Sequence, residues 1–277
     1  MTSAQATSRS VLPGFHGTLA FAVGYLAVFV VIPLGLCLYK AGSLTADEFL
    51  AAAWTPRARA AYRLTFGASF AAACINLVFG SIVAWVLVRY DFPFKRIVDS
   101  LIDLPFALPT AVAGLIYSSL YVENGWIGRF LTPLGIKAVY TPLGVVLVLV
   151  FIGLPFVVRA IQPVLESLDV ELEEAASALG AGRWQTVVRV VLPTLLPAMT
   201  TGFALAFARS LGEYGSVVFV SGNLPYRTEI APVLIYGKLE EFRYADATAL
   251  ATVLLAASFV MLAAINRLER WSQQRYG

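Results

Sequence analysis

Few side chains in this sequence could do chemistry, and the two that stand out are charges inside an otherwise apolar run. Arg209 lies near the middle of Leu195–Val220 and Glu213 follows four residues later, so a helix projects both from one face, one turn apart. An unpaired charge at that depth in a bilayer is costly, and pairing lowers the cost. The pair therefore has two readings: a stabilising ion pair, or charges facing a wet path where Arg209 meets an anion or closes a gate. Glu213 cancels much of the attraction Arg209 offers to a dianion, which favours transient binding. Gly212, Tyr214 and Gly215 flank the glutamate, and glycines there permit either local unwinding or close helix packing.

Other chemistry is poorly supplied. His16 is the single histidine, and Cys37 and Cys74 both fall inside apolar runs, so neither a metal site nor a disulfide framework is expected. No nucleophile stands beside a base, so no catalytic residues are assigned and a membrane enzyme is the weaker class. The chain has no GxxxxGK[ST] loop to cradle ATP phosphates and is expected to bind no cofactor itself. A net charge of +3 is spread over the loops without a basic run interleaved with aromatics, which speaks against nucleic acid as a partner.

The elements that must position these residues are membrane helices. Of the 277 residues 59% are hydrophobic and 13% charged, with a mean hydropathy of +0.77, whereas soluble domains carry about a quarter charged residues. A span needs about 20 mostly apolar residues to cross a ~30 Å hydrocarbon layer. Six such runs lie near Gly17–Tyr39, Leu64–Val88, Leu101–Tyr121, Pro142–Val158, Leu195–Val220 and Thr248–Ile265, which predicts an all-α polytopic protein of about six transmembrane helices, with the lipid bilayer as solvent and both termini on one side. With cytoplasmic termini, and leaving out Arg209 within a span, ten Lys and Arg fall inside and nine outside, a margin that does not set the orientation. The first run is longer than a typical signal h-region and lacks a clear small-residue cleavage site, so it reads as a retained anchor. Met1–Pro13 reads as a short disordered tail, and Ala41–Ala61 as an interfacial loop with room for one short amphipathic helix and with Trp54 at headgroup level. Pro105 and Pro109 punctuate the third run, either as a kink in a packing helix or as a break lining a cavity; Asp103 precedes them.

Between the fourth and fifth runs, Arg159–Thr194 is too polar to stay in the membrane and too regular for a tether. Leu168, Leu172, Ala176 and Leu179 form one helical stripe, with Asp169 as N-cap and Glu171, Glu173 and Glu174 in the early turns. Gly180 and Gly182 supply a turn, and Trp184, Val187, Val188 and Val191 form a second stripe ending at Pro193. A helix, a sharp bend and another helix make a knob stiff enough to pass force from a cytoplasmic partner to the pore.

Glu174-Ala175-Ala176, three residues, Gly180, nine residues, then Val190-Val191-Leu192-Pro193 resembles the EAA signature of binding-protein-dependent ABC importer permeases, with Val190 where isoleucine is frequent. The resemblance implies a cytoplasmic loop docked in a groove of a separate ATPase, with Glu173, Glu174, Ala175, Ala176, Leu179, Gly180, Arg183 and Pro193 as the coupling set. It also sets the orientation that charge counting leaves open.

Longer stretches, Trp85–Pro93, Asp103–Leu115 and Ala208–Val217, resemble the T-type subunit of sulfate/thiosulfate permeases, and the resemblance runs from about Thr55 to Trp271. The W-type and molybdate permeases share parts of these stretches, while Ala107-Leu108-Pro109-Thr110 matches the T-type. The resemblance implies the transmembrane domain of a type I ABC importer in a bacterial inner membrane. Its partners would be a W-type permease subunit forming a heterodimer, two ATPase subunits holding ATP and Mg, and a periplasmic sulfate/thiosulfate-binding protein. The implied organisation is a cytoplasmic tail at 1–16, a permease domain at 17–268 containing the coupling loop 159–194, and a C-terminal tail at 269–277. The implied pathway or gate comprises Arg209, Glu213, Tyr214, Pro105 and Pro109. Ser221–Tyr226 and the charged stretch Glu229–Asp246 form a candidate outer surface for the binding protein. A molybdate or tungstate permease is the alternative, followed by a channel or secondary carrier, which needs no ATPase dock.

Overall fold

A computed structural model describes residues 15–276, and every regular element among the described residues is helical. Among the described residues five helices are long and apolar enough to cross a membrane: α1 (Phe15–Gly42), α3 (Pro56–Arg89), α7 (Pro142–Ser167), α9 (Arg183–Leu211) and α12 (Tyr244–Tyr276, with its apolar part in Tyr244–Arg267). Between them lie α2 (Ala46–Ala53), α4 (Lys95–Ile102), α5 (Leu104–Ala107), α6 (Thr110–Tyr121), α8 (Val170–Ala178), α10 (Gly215–Ser221) and α11 (Ala231–Glu240).

Two of the six expected runs are not single helices. The third, Leu101–Tyr121, is split into the end of α4, then α5 and α6, because Leu108 and Pro109 are extended at ψ 132° and 130°. Pro109 lacks an amide hydrogen and disfavours a helical residue before it, which makes the break local and obligatory. The fifth, Leu195–Val220, breaks at Gly212–Tyr214 between α9 and α10.

The remaining boundaries also shift. The loop expected at Ala41–Ala61 shrinks around α2, which is closed by a capping box between Thr45 and Glu48, while α3 already begins at Pro56 behind its N-cap Thr55. α7 continues past the expected end at Val158 to Ser167. α12 continues as helix to Tyr276, through most of the expected tail 269–277. The tail expected at Met1–Pro13 lies outside the described residues.

α3, α7 and α9 make the core. Lipid offers helices little hydrophobic reason to associate, so close backbone approach through small residues takes over. α3 turns Ser69, Ala72, Ala73, Asn76, Gly80 and Ala84 inward. A Cβ on Gly80 would stand 2.9 Å from Val157 Cγ1, and one on Gly202 of α9 would stand 3.0 Å from Val157 Cα. Around this contact Val158, Ile161, Leu165, Val191, Phe207 and Leu211 complete the largest buried cluster. α1, by contrast, leaves its apolar side chains outward along most of its length.

The two interrupted runs meet. α6 lies against α10 with Gly114 facing Ser216, whose Cα would be 2.8 Å from an added Cβ, and with Gly215 facing Thr110 and the Ala111 amide. Gly114→Val is therefore expected to push α6 off α10 and lower the melting temperature of the purified protein in detergent, at about 1–3 kcal/mol for forced overpacking. Gly24→Ala, where an added Cβ meets nothing within 4 Å, is the matched control and leaves the melting temperature unchanged.

Candidate functional site

The elbow expected between the fourth and fifth runs is built from α8 and the first turns of α9. α8 ends in a Schellman motif: the Ala181 amide donates to the Ala176 carbonyl at 3.0 Å and the Gly180 amide to the Ser177 carbonyl at 3.0 Å. Gly180 sits at φ +85°, where a side chain is strained, so a glycine at this spacing is a geometric requirement. Gly182 needs no such freedom at φ −72°; it is the N-cap of α9, and its amide donates to Gln185 Oε1 at 3.0 Å. The turn thus depends on one glycine rather than the expected two. Asp169 occupies the N-cap position of α8 with extended backbone, but its side chain accepts no capping bond.

Each apolar stripe is divided between core and solvent. Leu168 and Val191, at the far ends, are buried in the bundle. Leu179 is 90% exposed and Trp184 77% exposed, and Leu172 and Val188 are exposed as well. Periodicity identified these apolar faces correctly as faces, yet the chain itself covers only their roots. Glu174 and Ala175 are exposed, Ala176 is half-buried and Arg183 is exposed at the first position of α9. Glu173 turns inward to Arg89 at the end of α3, with Nη2–Oε1 at 2.5 Å.

The second stripe does not end at Pro193. A π turn over Val187–Val191, in which the Leu192 amide donates to the Val187 carbonyl, shifts the hydrogen-bond register immediately before the proline. The helix therefore runs from the elbow to Leu211 without interruption.

At the C-terminal end of α9, Arg209 Nη1 lies 2.6 Å from Glu213 Oε2, as the i, i+4 spacing predicts. Glu213 is 2% exposed while the Arg209 side chain keeps 34%. The other carboxylate oxygen accepts from the Ser216 amide and the Ser216 hydroxyl, each at 2.9 Å. The glutamate thus bridges the break, neutralising Arg209 on one side and satisfying an amide of α10 on the other. Tyr214, within the break, packs on Tyr236 of α11 with ring centroids 4.9 Å apart. Pro109 and Thr110 open α6 beside Gly215, so the Pro109 and Gly212–Tyr214 interruptions adjoin. Pro105 opens α5, next to Asp103 and Phe106.

Asp103 takes part in a network that the sequence did not reveal. Arg159 of α7 donates Nε and Nη2 to the two carboxylate oxygens of Asp103 at 3.0 and 2.6 Å. Its Nη1 reaches Asp99 Oδ1 at 2.7 Å and Gln162 Oε1 at 2.6 Å. The fork ties α4 and α5 to α7 with the two-point geometry that guanidinium and carboxylate share. At the start of α3 Arg57 grips Glu229 in the same two-point way, both contacts at 2.7 Å. The only available signal was a carboxylate pair at i, i+4 (Asp99, Asp103) near a membrane boundary, with Arg159 far along the chain.

Residues 76–277 match the family described as "Binding-protein-dependent transport system inner membrane component". The chain is 46% identical over 274 residues to the probable sulfate transport system permease protein cysT of Nephroselmis olivacea, covering 98% of this chain and 96% of the relative. It is 51% identical over 253 residues to the sulfate transport system permease protein CysT of Synechococcus elongatus, covering 91% of each. The CysT protein of Escherichia coli K12 is 45% identical over 271 residues, covering 98% of this chain and 96% of the relative. Among solved structures, a bacterial ABC transporter that imports alginate superposes with a TM-score of 0.76 at 16% identity, over 92% of this chain and 94% of that one, which shows the fold alone. Matched over most of its length and at this identity to several relatives, the chain belongs to the inner-membrane components of binding-protein-dependent transport systems, as a multi-pass permease of the CysT branch.

Proposed function

We propose that this chain is the T-type permease of an ATP-driven sulfate or thiosulfate importer. It pairs with a W-type permease, works with two copies of a separate ATPase that hold ATP and Mg, and receives its anion from a periplasmic sulfate/thiosulfate-binding protein, in a bacterial cytoplasmic membrane. The elbow carries this reading: a rigid helix pair that leaves Leu179 and Trp184 bare, in a chain with no phosphate loop of its own, is a surface shaped for an outside engine. The anion is supported by the sulfate permease names of relatives at 45–51% identity, which favour sulfate over molybdate. A channel or secondary carrier gives the elbow no work.

The parts then act in sequence. Glu174, Ala175, Ala176, Leu179, Gly180 and Arg183 form the surface that enters the ATPase groove. ATP binding closes the ATPase pair and displaces the elbow, and α9, unbroken through Pro193, carries the displacement to Arg209 and the Gly212–Tyr214 break. The adjoining break at Pro109 and the turn at Pro105 give the third run the same capacity to shift. A dianion passing this junction meets the exposed edge of Arg209, while Glu213 holds the net attraction low enough for release.

The test is reconstitution in proteoliposomes with the W-type partner, the ATPase and the sulfate-binding protein. Sulfate-loaded binding protein should stimulate hydrolysis and drive uptake; hydrolysis indifferent to that protein would refute the assignment. Glu174→Arg should abolish both ATPase co-purification and uptake, and unaltered uptake would favour a carrier. Arg209→Ala should leave the complex assembled and slow uptake by about tenfold, the equivalent of one charge-assisted hydrogen bond. Normal uptake by that variant would return Arg209 to a purely structural role.

A further inference from the structure

Glu173 and Glu174 are consecutive, yet they face different ways. Glu174 is exposed and without an ion pair among the described residues. Glu173 is the one described side chain of α8 that makes a hydrogen bond or ion pair with the rest of the chain, to Arg89 at 2.5 Å. The contact spans 84 residues of sequence and joins α8 to the last residue of α3. Both side chains are largely withdrawn from solvent, at 18% and 27% exposure, unlike the surface pairs that contribute little. The Arg89 guanidinium lies over the Trp85 ring at 5.6 Å, and its Nε is buried with no hydrogen-bond partner, so among the described residues Glu173 is its one ion-pair partner. Removing one member of such a pair leaves an uncompensated charge behind.

The pair also closes a ring. Beyond Arg89 the chain turns through Phe94, held at φ +65°, into α4. Asp99 and Asp103 at the end of α4 are gripped by Arg159 of α7 at 2.7 and 2.6 Å. α7 leads through the buried Leu168 back into α8. α8, α3, α4 and α7 are therefore fastened in a loop by two Arg–carboxylate ties and two stretches of chain.

We infer that Arg89 and Glu173 are positioning residues that carry displacement of the elbow into α3 and, through the Arg159 clamp, into the interrupted third run. Coupling then has two legs: a covalent one along α9 to the break beside Arg209, and an ion-paired one to the break at Pro109. The two breaks adjoin, so both legs act on one junction. This inference rests on the proposed docking of α8 on an ATPase, with Glu174 turned to that partner and Glu173 to the chain's own core.

The experiment compares Arg89→Gln and Glu173→Gln in the complete complex in proteoliposomes, reading ATPase co-purification, binding-protein-stimulated hydrolysis and sulfate taken up per ATP. Both variants are expected to keep the ATPase and to keep hydrolysing, while uptake per ATP falls by about tenfold, within the range of coupling free energies between sites. The swapped pair, Arg89→Glu with Glu173→Arg, should recover most of that loss. An unchanged ratio in either single variant, or a swap that recovers nothing, overturns the inference. Loss of ATPase association in Glu173→Gln alone also overturns it, by returning Glu173 to the dock. Should the Gln variants fail to accumulate, Arg89→Lys keeps the charge with a shorter, single-point reach and decides in their place: a reduced ratio supports the linkage and a normal one ends it. Failure of the docking itself is recognised separately, by a complex with Arg89 and Glu173 intact in which Glu174→Arg leaves ATPase association unchanged.

Discussion

The packing of α3, α7 and α9 rests on how near their backbones can come, because hydrocarbon tails are as apolar as the side chains that would replace them. Val157 shows the constraint most directly. It lies between Gly80 of α3 and Gly202 of α9, each of which would crowd it with a single added carbon. Gly153 repeats the arrangement one turn earlier, where an added Cβ would stand 2.5 Å from the Asn76 amide. A core so close has little freedom to deform, and it fixes where both ends of α7 and α9 emerge. The elbow on one side and the broken junction on the other are held at set positions relative to this contact.

The second constraint is that the hydrocarbon layer supplies no water to unpaired backbone groups, so each irregularity must be satisfied from within. Two of the prolines in long helices are met by changes of register: π turns at Ala27–Val31 and Val187–Val191 stand just before Pro33 and Pro193. Pro197 is inside α9, and the Thr201 hydroxyl donates to its carbonyl at 3.0 Å. At the Gly212–Tyr214 break a buried carboxylate satisfies an amide of α10 through Ser216, and Arg209 lies beside it as its ion-pair partner. One residue therefore pairs a charge, caps a helix and permits a discontinuity. The ion-pair and wet-path readings of Arg209 and Glu213 are compatible for this reason: the glutamate is enclosed while about a third of the arginine side chain remains exposed.

What was legible in the sequence follows from the range of each interaction. Gly180 could be read because a left-handed turn at a helix end is a property of a few adjacent residues, and Arg209 with Glu213 because i and i+4 meet on any helix. The break in the third run was signalled by Pro105 and Pro109, but its extent was not, since an apolar run of sufficient length looks the same whole or split. Arg159 with Asp99 and Asp103, Arg89 with Glu173, and Arg57 with Glu229 could not be paired from sequence, because nothing local distinguishes one distant carboxylate from another. Periodicity also marked Leu172, Leu179 and Trp184 as members of apolar faces without saying what covers them; the fold shows that its own core does not.

That division between covered and uncovered residues is what the lever proposed for this short helix pair, which has no core of its own, would require. A lever needs fixed ends and a free middle. Leu168 sinks the start of α8 in the bundle and Val191 does the same for the base of α9, while the elbow between them projects. Stiffness in the projecting part comes from the backbone: the paired bonds at Gly180 close one side, and the π turn ahead of Pro193 keeps the other continuous with α9. Had Pro193 ended the helix, as the apolar stripe alone suggested, the elbow would hang on a joint and its displacement would be absorbed there. Because the register shifts instead of breaking, the next point of give along α9 is Gly212, where the chain also brings the third run, an arginine and α10 together.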